Sequence, residues 1–155
     1  MGLRSSAWIT PSSNFLLDSF NDDERLLAQV TIGIVRSGGA MYTGRLLECV
    51  AARILDASFP TVGISPWDLA LSDGTRIEIR SGATKFSLAG RKDVDLWIFI
   101  HKLEPVEPFT VLTAAEVADL RAGSKSSTRL ADRFGRVGSA DLPRAVAEAL
   151  ATSTQ

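Results

Sequence analysis

The stretch that most constrains this chain is the hairpin written in residues 66–82, PWDLALSDGTRIEIRSG. Two segments able to run as strands, about Ser65 to Leu71 and Thr75 to Arg80, flank Ser72-Asp73-Gly74. The length of the turn decides which side chains share a face. A two-residue turn at Asp73-Gly74 sets Asp68 opposite Ile79 and Glu78 opposite Leu69, so each apolar residue shares a face with a charge. A three-residue loop with Gly74 in the left-handed conformation shifts the pairing by one residue. Trp67 then faces Ile79, and Leu69 faces Ile77. One face becomes Trp67, Leu69, Leu71, Ile77 and Ile79; the other becomes Asp68, Ala70, Arg76, Glu78 and Arg80. A slip of one residue turns the whole apolar set outward. Burying four or five such side chains is worth about 8 kcal/mol before entropy, so the three-residue loop is the expected register.

That register has a chemical consequence. Asp68 and Glu78 stand directly opposite on adjacent strands, with Cβ atoms about 5 Å apart. Two carboxylates at that distance repel unless a positive charge lies between them. A hard divalent cation with oxygen ligands, most naturally Mg²⁺ or else Mn²⁺, is one solution. An ion pair with Arg80, on the same face two residues on, or with Arg76, is the other. The residues alone leave both open.

Helical patterns precede the hairpin. NDDERLLAQVTIGIV reads as a helix with Asn21 or Asp22 as cap and acids in its first turn, stopped by Ser37-Gly38-Gly39. Thr43 caps a second helix, GRLLECVAARILDAS, whose Leu47, Val50, Ala51, Ile54 and Leu55 follow helical spacing. After the hairpin, DVDLWIFIHKL (93–103) is apolar through its middle, as a central strand should be. PFTVLT forms a further strand and leads into Thr113-x-x-Glu116, a capping box opening a short helix to Leu120. Residues 124–140 read as a loop around a short helix near Arg129 to Phe134. Asp141-Leu-Pro143 opens a last helix, Pro being favoured at an early helical position, and the closing TSTQ is expected to fray. The order is helix, helix, hairpin, strand, strand, helix, helix. This is an α/β or α+β domain with a small mixed sheet flanked by helices.

Composition excludes several function classes. The 155 residues amount to one domain, 45% hydrophobic and 23% charged. A single cysteine, Cys49, and a single histidine, His101, rule out an internal disulfide and make a zinc site of Cys–His type untenable. Cys49 reads as a small buried hydrophobe, and His101 as a strand-end residue or, more sharply, a base near the site. Neither a nucleophile elbow nor a phosphate-binding P-loop is present; RSGGAMYTGR lacks the Lys-Ser/Thr ending. The longest apolar run, residues 26–35, is about half a membrane span. The polar start MGLRSSAWITPSS, broken by Pro11, is unlike a signal peptide, and a cytoplasmic location with no membrane partner is expected. Net charge is −1, yet Arg121, Lys125, Arg129, Arg133, Arg136 and Arg144 crowd residues 121–144 against only Asp132 and Asp141. That segment is either a solvated face or a phosphate-binding one.

Pro66-Trp-Asp68, nine residues, then Glu78-Ile-Arg80 resembles the PD-(D/E)XK motif of restriction-endonuclease-like nucleases. GRLLECVAARIL resembles the helix that precedes the motif and often carries an additional Glu, here Glu48. WDLALSDGTRIEIRSGA resembles the hairpin of a group of small bacterial proteins of that superfamily, usually nearer to YDL…G…IEVKSSA. DVDLWIFIHKL and FTVLTAAEV resemble the strand and the strand–helix step that follow. The resemblance covers roughly residues 44–120, and more loosely up to 150. It divides the single domain, 1–155, into an irregular segment (1–20), a nuclease-like core (43–120), and a basic loop with a C-terminal helix (121–155).

The resemblance implies a four- to five-stranded mixed sheet and Mg²⁺- or Mn²⁺-dependent hydrolysis of DNA phosphodiesters, in a defence or repair setting. Asp68, Glu78 and Glu48 become the metal ligands, with Glu48 also able to orient the base. Arg80 departs from the motif, which has lysine there. Arginine stays charged at all relevant pH and cannot act as a base, but it can stabilise the developing phosphate charge. It can equally pair with the acids and leave an inactive fold serving as a nucleic-acid-binding or assembly subunit. Lys85 is the candidate for a displaced ammonium. Phosphate contacts fall to Arg76, Lys85, Arg91, Lys92, Arg129, Arg133 and Arg136, the last three sharing a face if their segment is helical. Besides DNA, a homodimer or a larger protein assembly is the partner the resemblance suggests.

Overall fold

The structure is a computed structural model and describes residues 15–36, 41–60, 67–89, 93–123, 127–128, 130 and 134–155. Its elements are α1 (Asp22–Arg36), α2 (Met41–Leu55), β1 (Leu69–Ala70), β2 (Arg76–Gly82), β3 (Phe86–Ser87), β4 (Leu96–His101), β5 (Phe109–Thr113), α3 (Ala114–Gly123), β6 (Ser127–Thr128) and α4 (Leu142–Ser153). Four strands make a mixed sheet in the order β1-β2-β4-β5, and β3 pairs with β6 as a separate two-stranded ribbon. The expected mixed α/β architecture is present.

The sheet is built around β4, all six of whose residues are buried. It runs parallel to β2, with Glu78 beside Trp97 and Arg80 beside Phe99, and antiparallel to β5. A parallel pair needs a crossover of about a dozen residues or more. The connection between Gly82 and Leu96 supplies it and lays down β3 on the way, with Phe86 and Leu88 packed against one face of the sheet. Side chains alternate across β4. Leu96, Ile98 and Ile100 join Leu47, Val50, Ala51, Leu142 and Val146 of α2 and α4 in one cluster. Trp97 and Phe99 join Phe86, Leu88, Val117, Leu120 and Leu130 in another. The sheet is therefore covered on both faces.

Local chemistry fixes the helix ends. At α1 the Asn21 side chain accepts from the Glu24 N–H, and Glu24 accepts from the Asn21 N–H, both at 2.9 Å. This is a reciprocal cap. At α3 the expected capping box forms: the Glu116 carboxylate accepts from the Thr113 N–H at 2.7 Å, and Thr113 Oγ1 accepts from the Glu116 N–H at 3.2 Å. Helix α2 ends with Asp56 in the left-handed region, φ 51°. The Ala57 N–H reaches back to the Ala52 carbonyl at 2.9 Å, a Schellman closure in which Asp takes the place usual for Gly.

Several boundaries differ from expectation. Helix α2 starts at Met41, so Thr43 lies inside its first turn and is not the cap. Helix α3 runs three residues past Leu120. Helix α4 continues through Ser153 because Thr152 and Ser153 hydroxyls bond back to the carbonyls four residues earlier. The β3–β6 ribbon has no counterpart in the sequence reading. Ser65 and Pro66, the glycine stop after α1, and Arg129 with 131–133 of the expected short helix lie outside the described residues.

Candidate functional site

The hairpin forms with the three-residue loop. Leu69 pairs with Ile77, the Leu71 N–H donates to the Thr75 carbonyl at 2.9 Å, and Gly74 takes φ 89°. Asp73 Oδ1 accepts from the Thr75 N–H at 2.9 Å; hydrogen bonding from the Thr75 side chain first, and from its N–H next, holds the Asp73 carboxyl below the usual range. Leu69, Ile77 and Ile79 are buried against the helices, and Leu71 packs against them. Trp67 does not follow. The Asp68 N–H donates to the same Ile77 that pairs with Leu69. Two residues thus stand against one, the count of a β-bulge. The bulge re-aims the chain before Leu69, and Trp67 packs against the other cluster, on the opposite face from the one alternation assigns.

The bulge also determines where Asp68 points. Its Oδ2 accepts from the Ile79 N–H at 2.8 Å, taking the place of a strand partner. Glu78 is 4% exposed and sits beside Trp97 on the aromatic face. The Nη1 of Arg80 lies 2.5 Å from Glu78 Oε1. Arg80 also donates to the Ile79 carbonyl at 3.2 Å and the Ala89 carbonyl at 2.7 Å, and its guanidinium lies 5.3 Å from the centre of the Trp97 ring. The planar fork serves four partners at once. A lysine ammonium, a point charge with no plane to stack, cannot.

Glu48, on α2, is salt-bridged to Arg45 at 2.9 Å. Burial pushes its carboxyl above the ordinary value; the Arg45 bond opposes that, the Asp68 charge adds to it, and the Arg80 charge opposes it. The charges of Asp68 and Arg80 thus reach Glu48. Among the described residues, no group of three or more His, Cys, Asp or Glu side chains is arranged to hold a metal ion. As placed, one acid of the motif caps a backbone amide and the other is bound to a guanidinium, so the donor set does not fit a divalent cation without rearrangement of Arg80.

The expected phosphate contacts divide. Arg91, Lys92, Arg129 and Arg133 lie outside the described residues. Arg76 is engaged by Asp93 at 2.8 Å and Asp95 at 3.4 Å, and it lies over Trp67. Arg136 is in an extended segment, not on a helix, and pairs with Glu104 at 3.6 Å. Lys85 is exposed in the turn after β2. His101 is buried at the end of β4, paired with Gly82. That is four residues beyond Glu78, or about 13 Å along the sheet. Thr110 donates its hydroxyl proton to the Gly135 carbonyl, so its oxygen accepts from His101 Nε2–H at 2.8 Å. His101 belongs to the packing of that corner.

Sequence reasoning placed Arg121 in the basic segment and missed its place beside the site. Its guanidinium lies 5.0 Å from the centre of the Trp97 ring, on α3, and donates twice to the Leu88 carbonyl. A basic residue in the last turn of a helix has an ordinary explanation in the helix dipole, and only the chain crossover brings Leu88 beneath it. The fold and this geometry define a mixed α/β protein with an arginine-closed acidic site. No protein-family model matches the chain, and no curated protein matches it.

Proposed function

We propose that this chain is a restriction-endonuclease-like domain whose metal position is closed from within, and that it acts as a nucleic-acid-binding or assembly subunit. The observation that carries this reading is the Glu78–Arg80 pair. Glu78 is almost fully buried, its negative charge is met at 2.5 Å by Arg80, and Arg80 is itself held by two carbonyls and a ring. A buried carboxylate needs a positive partner; here the chain provides one where the motif has a lysine.

A second reading, a Mg²⁺-dependent nuclease acting on DNA, is favoured by one observation. Burial raises the Glu48 carboxyl, the Arg45 bond opposes that, and the charge of Asp68 adds to it, so the Asp68 charge reaches Glu48, as it must if one cation is to serve both acids. In that reading Asp68, Glu78 and Glu48 hold the ion, and Arg80 stabilises charge on the phosphate. The ion would supply Lewis-acid polarisation and a more acidic water.

Calorimetric titration of Mn²⁺ and Mg²⁺ separates the two. The expected result is no saturable binding by wild type at millimolar metal, with binding appearing in Arg80→Lys and absent from Asp68→Ala/Glu78→Ala. Saturable wild-type binding that the double substitution abolishes, accompanied by cleavage of duplex or single-stranded DNA, overturns the proposal in favour of the nuclease. The nucleic-acid arm is read by anisotropy of a labelled duplex. About six phosphate contacts give a log–log salt slope near −5, and a flat response leaves assembly as the role.

A further inference from the structure

We propose that residues 86–89 form a strap, hinged at Gly82 and latched by Arg80 and Arg121, whose opening releases Glu78. The inference depends on neither a metal nor a nucleic acid.

The hinge is at the end of β2. A Cβ on Gly82 would lie 2.2 Å from the Lys85 carbonyl oxygen, so the turn that folds the crossover back over the sheet closes only on a residue with no side chain. Beyond the turn, Phe86 and Leu88 are almost fully buried in the aromatic cluster, and Phe86 packs edge-on against both Phe99 and His101. Ser87 and Ala89 face outward and are exposed.

The latch is at the far end of the strap. Consecutive carbonyls, Leu88 and Ala89, each accept from a different arginine: Leu88 from Arg121 of α3, Ala89 from Arg80 of β2. Both guanidiniums lie over the ring of Trp97, at 5.0 and 5.3 Å. Hydrogen bonds from a charged donor are stronger than those between neutral groups. Among the described residues, the strap's own strand pairing is two residues long, Phe86 with Thr128 and Ser87 with Ser127. Burial of Phe86 and Leu88 holds its near part down, and the latch supplies the directional contacts at its far end.

Arg80 couples the strap to the acid. The same guanidinium that holds the Ala89 carbonyl holds the Glu78 carboxylate. When residues 86–89 lift, Arg80 loses one of its fixed acceptors and the boundary that keeps it against Trp97, and it is free to turn toward solvent. Glu78 then exchanges an internal partner for water or a ligand. The contact is autoinhibitory for whatever Glu78 can bind, and it explains an arginine at this position without reference to catalysis: only a planar fork spans a carboxylate, a carbonyl and a ring face together.

The test is hydrogen exchange by mass spectrometry on the full chain, with carbodiimide labelling of Glu78 as a second readout. In wild type, amides of residues 86–89 should exchange through an opening of lower free energy than those of β4 and α4; equal protection overturns the strap. In Arg121→Gln, exchange across 86–89 should rise at least tenfold, α4 should stay within twofold, and Glu78 should label at least fivefold faster. Arg121→Lys keeps the charge without the fork and should give a smaller rise of the same pattern; it serves if the glutamine variant does not fold. Unchanged exchange at 86–89 in a folded variant, or faster exchange with Glu78 labelling unaltered, overturns the proposal.

Discussion

The two faces of the central sheet are held by different physics. On the helical face, β2 and β4 present Ile77, Ile79, Leu96, Ile98 and Ile100 to α2 and α4, in a cluster that is apolar and mostly aliphatic. On the strap face the same two strands present Glu78, Arg80, Trp97, Phe99 and His101 to a ribbon and a short helix. The first face is stabilised by burial, which is non-directional and roughly proportional to area. The second depends on geometry: a 2.5 Å ion pair, three carbonyls bonded by two arginines, and a histidine–threonine bond at 2.8 Å. An aliphatic face specifies little beyond volume. Groups able to bind or react lie where directional contacts are concentrated, and Glu78, Arg80 and His101 lie on the second face.

The largest effect should come from the helical face. Ile98 is fully buried at the centre of the sheet, and Ile98→Ala should cost about 3–4 kcal/mol in urea unfolding, the transfer term plus a residual cavity. Ile98→Leu, which conserves volume, should cost less than about 1.5 kcal/mol. A leucine variant as damaged as the alanine one would mean that this face, too, depends on exact fit, and the contrast between the faces would fail.

Next in size is the strap-face ion pair. Glu78→Ala leaves the Arg80 charge among rings and carbonyls with no acid to meet it. Breaking a buried pair costs about 3–5 kcal/mol; Arg80 keeps a quarter of its side chain in solvent, so about 2 kcal/mol is expected. Glu78→Ala/Arg80→Leu removes both charges and should recover at least half of that loss. Such non-additivity is the mark of contacting residues, whereas Ile98→Ala combined with either single substitution should add. If the double variant is as unstable as the sum of its parts, the pair is not what organises this face.

The same contrast explains what could be read from the chain. Apolar spacing located α2 and β4, because each buries a regular apolar set; the starts of α1, α3 and α4 were marked by caps, first-turn acids and Pro143, and α1 leaves Leu26, Leu27 and Val30 exposed. The hairpin register followed from a steric rule at Gly74 and an area argument at Leu69, Ile77 and Ile79. The bulge at Asp68 could not be anticipated, since it is chosen by a single side chain accepting the Ile79 N–H. That one bond carried Trp67 to the other face. The β3–β6 ribbon joins segments about forty residues apart through two residues each, too little for any periodic signal. Whether Glu78 meets a cation or Arg80 was undecidable from spacing, because both satisfy the same charge. The carbonyls of Leu88 and Ala89, which fix Arg80 and Arg121 in place, carry no sequence information at all.

The smallest effect is a slope with pH, and it again belongs to the strap face. Burial, followed by the charge of Arg136, holds the His101 pKa below its ordinary 6.5, with Glu104 opposing. Above 6.5 the histidine is neutral in both folded and unfolded chains and adds no pH dependence. As pH falls below 6.5 the unfolded state takes up the proton first, so it binds more protons than the native state and stability declines until the folded-state pKa is passed. Glu48 runs the other way. Its raised pKa means the native state holds its proton longer, so its contribution declines as pH rises above 4.5. Urea midpoints at pH 7.5 and 5.5 should fall toward the acid side in wild type. His101→Gln, which keeps a side-chain amide able to donate to Thr110, should flatten that fall. Equal midpoint differences in wild type and His101→Gln would place the acid sensitivity elsewhere and leave the His101–Thr110 bond as packing alone.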